Sequence, residues 1–498
     1  MKKKVFISTI IICLLAIYTL LPKAGSEIPL GTHHEKFPAF IGSPFVPQPL
    51  APMIIPEHPH LAAQGVNGMH GDSYNTESYP WSGPLGKNPV VDSASFGLIG
   101  GECTSVVFDR EGRLITVCVN FFEMRLVAMN ADTLQIIAMH DLPIRESNKT
   151  FDIDEIQNDS SGGAYFHLDN QDRAIIANAD RHLQILGLQK IGDSMQWNVF
   201  RDIDLNPYLP EASRVTDAIP DWHGNIWFVT RKGIVGTVNI NSGSVKIKEL
   251  AGEELQNAIA VAEDGVYIVS DHALYGFRSN PSTDKPEIVW REIYDRGTKL
   301  KQGAINQGSG TTPSLMRDGL VAITDNADNQ INVVVFRRKP EDSTDRVVCK
   351  IPVFRPNFSV TENSLIVYNR SIIVENNFGY TTPFKNPKTE PGVTRIDVRE
   401  DLSGCDVVWQ SLEASLSTVP KLSIGNGLIY LYTRDMASEE EVWYFTAIDF
   451  ATGQTQFKIH TSNGRNWNNN WAPITLGQNG RAYIGVLRGI VSIADSEN

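Results

Sequence analysis

The sequence predicts an all-β fold: an eight-bladed β-propeller of four-stranded antiparallel blades, with the last blade closed by an N-terminal strand. Three observations predict it. A unit of strand, tight turn and strand recurs eight times between residues 100 and 498, at a mean spacing near 53 residues. Sustained 3.6-residue helical periodicity is nearly absent over that span. The eighth unit supplies three strands and no fourth, which leaves a sheet edge that needs a partner. Two ordinary β-sandwiches would explain the short strands but not the recurring four-strand unit.

The chain has 498 residues, with 57 Asp+Glu against 44 Lys+Arg and a formal net charge of −13. That length can bury one large core or several ordinary ones. With 20% charged and 42% hydrophobic residues it is not a disordered chain. The acidic balance without any basic block excludes nucleic acid and anionic membrane as main partners. No His-Glu-x-x-His, Gly-x-Ser-x-Gly, P-loop, Cys-x-x-Cys or dinucleotide fingerprint is present, so zinc peptidase, α/β-hydrolase, nucleotide-binding and thioredoxin-like readings lose their usual support; the partner expected is a small-molecule ligand at a polar channel mouth.

In chain order, Lys2, Lys3 and Lys4 precede an apolar run at 5–21, followed by Ala24, Gly25 and Ser26. Residues 1–26 are therefore expected to be a secretory signal peptide or, uncleaved, an N-terminal membrane anchor. Either way the bulk of the chain is expected to be exported: periplasmic, extracellular or anchored, touching membrane only through this segment. Cleavage would remove four Lys and leave a net charge of −17.

Residues 27–95 carry Pro38, Pro44, Pro47, Pro49, Pro52, Pro56 and Pro59 beside Phe37, Phe40, Phe45 and Ile54. Such a segment is extended yet too apolar to float, so it is expected to wrap the main domain. Its most polar part, His70 to Tyr74 with Glu77 and Tyr79, is expected as a surface loop, the alternative being a base or ligand over a channel mouth. Residues 90–96 are the natural donor of the closing strand.

From residue 96 to 498 the hairpin turns fall at 109–112, 159–163, 221–224, 263–265, 317–319, 368–370, 425–427 and 477–480. Asp-Gly and Asn-Gly suit these places because Gly accepts positive φ. Apolar strands follow them, among them 114–119, 225–229, 320–324 and 428–432. Cys103 and Cys118 are equidistant from the centre of the first hairpin and so oppose one another. Cys349 and Cys405 end neighbouring units. Both pairs are candidate disulfides, the alternative being four buried thiols.

Strands ending in Asp-x-x-Thr-Gly or in Trp give the unit its character: Asp449-Phe450-Ala451-Thr452-Gly453, residues 394–398 with Trp409, and Trp290. The unit resembles the repeats of quinoprotein alcohol dehydrogenase-like propellers, over residues 100–498. The resemblance implies pyrroloquinoline quinone (PQQ) and Ca²⁺ on the propeller axis, an Asp base, and a vicinal Cys-Cys ring against the quinone. None of the five Cys here adjoins another, which argues against PQQ and leaves Ca²⁺ as the candidate cofactor. Related propellers with this repeat are non-catalytic scaffolds of the bacterial envelope.

In a propeller, ligands gather where the loops between second and third strands meet the loops entering each first strand. Asp169-Asn170-Gln171-Asp172 in unit two and Asp325-Asn326-Ala327-Asp328 in unit five share an offset from their turns. Unit six follows its strand with Glu375-Asn376-Asn377-Phe378-Gly379-Tyr380, and residues 465–471 lead into unit eight. Carboxylates and amides of this kind suit Ca²⁺ or a sugar or alcohol. Glu375 and Asn376 are the metal candidates, Asp325 the base, and Asp169, Asn326, Asn377 and Tyr380 the ligand-binding candidates. Three functions stay open: an oxidoreductase of alcohols or sugars, a scaffold or binding propeller, and a Ca²⁺-dependent lactonase-type hydrolase.

Overall fold

The computed structural model describes residues 24–97, 100–150, 152–339, 345–384 and 388–496. Residues 1–23, which hold the apolar run expected as signal peptide or anchor, lie outside the described residues. Within the described residues no helix is long and apolar enough to cross a membrane.

The fold is the eight-bladed propeller that the repeat predicts, each blade an antiparallel sheet of four strands. Blade one runs Glu102–Phe108, Leu114–Val119, Met124–Met129 and Ile136–Leu142. Middle strands such as Asn225–Thr230 and Leu320–Thr324 are buried along their whole length. They lie between neighbouring blades and bury both faces, which is why they read as continuous apolar runs rather than as alternation. Outer strands such as Val347–Pro352 and Cys405–Ser411 are largely exposed. A disulfide joins these two outer strands through Cys349 and Cys405, and another joins Cys103 to Cys118 across the first hairpin.

The eighth blade is completed as expected. Pro89–Ser95 pairs antiparallel with Gly489–Asp495 over seven residue pairs, from Pro89 opposite Asp495 to Ser95 opposite Gly489. Blade seven departs from the pattern with six strands. Phe40–Gly42 adds to its outer edge, and Ser78–Tyr79 runs parallel to its innermost strand, Lys421–Ser423.

The first hairpin of blade two corrects the turn expected at 159–163. The turn connects His167–Leu168 to Ala174–Ala177, so it spans Asp169 to Asp172. Asp172, at φ 59°, holds the left-handed position that Gly112 and Gly224 hold in blades one and three. Asp tolerates that conformation, so no Gly marks the turn. Gly162 and Gly163 belong instead to the crossover from blade one, which also carries the one-turn helices Glu146–Thr150 and Ile153–Gln157.

The arm does more than wrap the propeller. Residues 65–79 are buried without exception, and they fill the central channel. Their carbonyls accept hydrogen bonds from the inner-strand edges of successive blades: Ser73 from Val261 (2.7 Å), Tyr74 from Leu315 (2.8 Å), Thr76 from Val367 (2.8 Å), Glu77 from Leu422 (2.9 Å) and Tyr79 from Ile424 (2.8 Å). Asn67 O accepts likewise from Leu168 N at 2.8 Å. The expected surface loop is therefore a plug. Its polar groups tolerate burial because the inner edges of the blades offer unpaired backbone groups to match them.

Candidate functional site

One face of the propeller holds a cavity of about 310 Å³, with Met69 and His70 of the plug in its lining. Its walls come from the loops entering first strands (Gln256, Asn257, Thr312, Glu362, Asn363, Trp471) and from loops between second and third strands (Asn120, Phe121, Phe384, Leu487). Arg145, Gln157, Asp159 and Tyr165 come from the crossover between blades one and two and its approach to blade two. These are the two loop classes expected at a functional mouth.

The wall is rich in amides and aromatic rings, and several of its polar atoms have no described partner. His70 Nε2, Arg145 Nη2, Asn148 Oδ1, Gln256 Oε1, Asn363 Oδ1 and Trp471 Nε1 are buried and make no hydrogen bond within the described protein. Buried polar atoms are almost always paired, so this concentration sets the cavity wall apart from the rest of the interior.

Three carboxyl groups reach the cavity: Glu102, Glu362 and Asp159. Glu102 is buried and accepts from Asn470 N at 2.7 Å; burial pushes its pKa up to about 8. Glu362 accepts from Ile305 N and Gln256 Nε2, both at 3.1 Å, and desolvation likewise pushes it up to about 8. Both are thus pushed toward the neutral acid, whereas Asp159, against its burial, is held below the usual carboxylate range by Arg145 and by hydrogen bonds from Ser147 and Ser161.

Glu102 makes stability pH-dependent in a predictable direction. Between about pH 4.5 and 8 the unfolded chain releases this proton while the folded chain keeps it, so stability falls as pH rises through that window. Glu102→Gln should match wild type at pH 4.5 and exceed it by more than about 1 kcal/mol at pH 8. Urea unfolding of both proteins at the two pH values checks this.

The candidates from the sequence divide into three groups. Asn377 and Tyr380 stand one layer behind the cavity. Asn377 Oδ1 accepts from Glu362 N at 2.7 Å, and Tyr380 Oη donates to Asn470 Oδ1 at 2.8 Å while its ring stacks edge-on against Trp471. Glu375 is in this layer too, accepting from Asn363 and Asn377, with burial pushing it up to about 8.

Asn376 and Asp325 are engaged in loop structure. Asn376 binds the backbone of Val360, Phe378 and Phe358. Asp325 accepts from Asn332 N (2.7 Å) and Asn332 Nδ2 (2.8 Å) and pairs with Lys350 Nζ at 2.8 Å. Asn326 is bonded to the Asp295–Arg296 backbone and does not line the cavity.

Asp169 lies on the opposite face, in a first-to-second-strand turn. It accepts from Gln171 N, Arg173 N and Arg173 Nε, as Asp109 accepts from Glu111 N, Arg113 N and Arg113 Nε in blade one. It is a turn brace, so the shared offset with Asp325 does not place the two together.

Neither metal candidate, Glu375 or Asn376, lines the cavity. Among the described residues no group of three His, Cys, Asp or Glu side chains converges to hold a metal ion. The Cys103–Cys118 pair bridges two strands and is not the vicinal ring that the quinone family carries.

The residues that the sequence left unnamed share a position. Asn257, Asn363 and Trp471 each stand three residues before an innermost strand, those beginning at Ala260, Ile366 and Ile474. Polar or aromatic residues at that offset are the signal that could have found the wall.

No protein-family profile matches the chain. An uncharacterized protein of Archaeoglobus fulgidus is 27% identical over 327 residues, which is 58% of this chain and 63% of the relative's length. Among solved structures, a europium-containing methanol dehydrogenase is similar at TM-score 0.51 and 11% identity, over 86% of this chain and 90% of that one. BamB from Moraxella catarrhalis is similar at TM-score 0.40 and 13% identity, over 84% and 96% of the two chains. With the methanol dehydrogenase the chain shares its fold.

Proposed function

We propose that the protein is an exported propeller whose mouth cavity binds a small, neutral, hydroxyl-rich ligand such as a sugar or polyol. One observation carries this reading: the cavity combines amide side chains, aromatic rings and buried polar atoms without partners. Amides donate and accept in the plane of ring hydroxyls, while Trp471, Phe121 and Phe384 offer apolar faces to ring carbons. Glu102 and Glu362 are pushed toward the neutral acid and the Asp159 carboxylate is balanced by Arg145, which favours a neutral ligand over a cation. Export is supported by the basic and apolar N-terminus and by two disulfides, which persist outside the reducing cytosol.

The test is calorimetric titration with a panel of neutral mono- and disaccharides and polyols. At least one should bind saturably, and Trp471→Ala should weaken it at least tenfold. A purely scaffolding propeller would bind none of the panel, and that result would overturn the reading.

A further inference from the structure

The plug carries one group whose arrangement goes beyond binding. His70 is buried on the channel axis and lines the cavity. Its Nδ1 is hydrogen-bonded to Glu77 Oε1, and the other oxygen of Glu77 meets Lys421 Nζ, which also donates to Met69 O at 2.7 Å. Glu77 and Lys421 are both fully buried. A carboxylate on Nδ1 fixes the ring orientation and the tautomer with hydrogen on that nitrogen, leaving the Nε2 lone pair free. Nε2 is the atom that has no described partner.

The second buried carboxylate–histidine pair shows the contrast. His167 Nε2 is 3.0 Å from Asp217 Oδ1, but His167 is not part of the cavity wall, and its free Nδ1 faces the backbone of Gly68. Of the two pairs, one therefore has its histidine in a cavity wall, with a buried Nε2 that has no described partner.

We propose that His70 is the general base of a hydrolytic site on this cavity, acting on a neutral ester or lactone with water as nucleophile. This rests on the cavity being the ligand site proposed above. Water gives a proton to Nε2 as its oxygen bonds to the carbonyl carbon. The tetrahedral intermediate collapses with cleavage of the carbon–oxygen bond to the alcohol. The departing oxygen takes the proton back from the imidazolium, and the products are a carboxylic acid and an alcohol. One water is consumed and no oxidant is needed. Glu77 stabilises the transient imidazolium, while Glu102 and Glu362 can donate hydrogen bonds toward the developing oxyanion.

Burial, reinforced by Lys421 and His167, holds His70 well below the usual imidazole range, so it is available as a base across neutral pH. The groups that face it are Glu77 and Lys421 behind, Tyr165 at a ring distance of 5.8 Å, and His167. Glu102, Glu362, Asp159 and Arg145 share the cavity.

The test uses the full exported chain with p-nitrophenyl acetate, p-nitrophenyl butyrate and γ- and δ-lactones. Wild type should hydrolyse at least one of them above the buffer rate, with a solvent deuterium isotope effect on kcat. His70→Gln should lose about a hundredfold or more in kcat with KM little changed. Glu77→Gln should lose less, through misorientation of the ring. The pH profile of kcat should show no inflection near the ordinary histidine pKa. Absence of turnover, with or without lactone binding, overturns the proposal and leaves the binding reading standing if a saccharide or polyol binds; absence of turnover together with absence of binding across the saccharide and polyol panel overturns both. If His70→Gln fails to fold, the wild-type isotope effect and pH profile decide: a missing isotope effect or an inflection near pH 6.5 overturns the assignment.

Discussion

Lys421→Met should lower the stability of the folded protein by about 3–5 kcal/mol, the largest effect expected of any single substitution outside the apolar core. The reason is geometric. Lys421 opens the innermost strand of blade seven, and Glu77 belongs to the plug; the two meet where neither touches solvent. Removing the ammonium leaves the Glu77 carboxyl buried beside His70 with no charge opposite it, and leaves Met69 O without its donor. Glu77 also holds a left-handed backbone at φ 57°, a conformation that a non-glycine residue keeps only when its surroundings enforce it. Losing the pair thus leaves an uncompensated buried charge and a left-handed backbone with less to hold it.

The double variant Glu77→Leu with Lys421→Met separates these causes. Two apolar side chains of similar volume need no charge compensation, so the double variant should recover at least half of the lost stability. Urea midpoints of wild type, both single variants and the double variant give the coupling directly. If the two single losses simply add, the buried pair is not the link between plug and ring. The double variant should also be folded yet hydrolytically dead, because nothing then orients His70.

The propeller was legible because its signal is repeated. A middle strand such as Leu428–Arg434 buries both faces, a turn such as that at Gly427 needs positive φ, and both requirements recur blade after blade. The missing fourth strand of the last blade was legible by the same count. What escaped was whatever a single blade does differently. Asp172 replaces a turn glycine, so the pattern slipped by one loop, and Asp169 was placed at the wrong face.

The plug escaped for a different reason. A run such as His70-Gly71-Asp72-Ser73-Tyr74 has the composition of a solvated loop, and no local rule buries it. Its burial depends on partners hundreds of residues away: Asn75 Nδ2 reaches Ile259 O and Pro313 O, Ser78 Oγ reaches Val367 O, and Glu77 reaches Lys421. The segment 465–471, legible as a loop entering a blade, holds four of the wall residues, whereas Asn257 and Asn363 were not legible, because a side chain's direction at a loop end is set by packing between blades.

Removing residues 1–95 should abolish cooperative folding altogether. The deletion takes away seven residue pairs that close blade eight, and it exposes the edge of Gly489–Asp495. It also empties the channel, leaving the backbone N–H groups of Val261, Leu315, Val367, Leu422 and Ile424 without acceptors on the plug. Tyr79 and Phe45 leave the core around blades seven and eight, and Trp81 leaves its partner Leu476 O. An open ring with unpaired edges collapses into a compact but loosely packed state or aggregates. The truncated chain should retain β-type far-ultraviolet dichroism, lose its near-ultraviolet signal, bind anilinonaphthalene sulfonate, and show no sharp thermal transition. A permuted chain that begins at residue 100 and carries residues 24–97 after residue 498, joined by a flexible linker of about 20 residues, restores both plug and closing strand; such a linker spans on average about 25 Å. The permuted chain should regain the transition and the dichroism. If the truncated chain folds as cooperatively as wild type, the arm is an accessory and the ring closes without it. If neither the truncated nor the permuted chain folds, the arm must be attached at its native end, so that its insertion and the first blade form together.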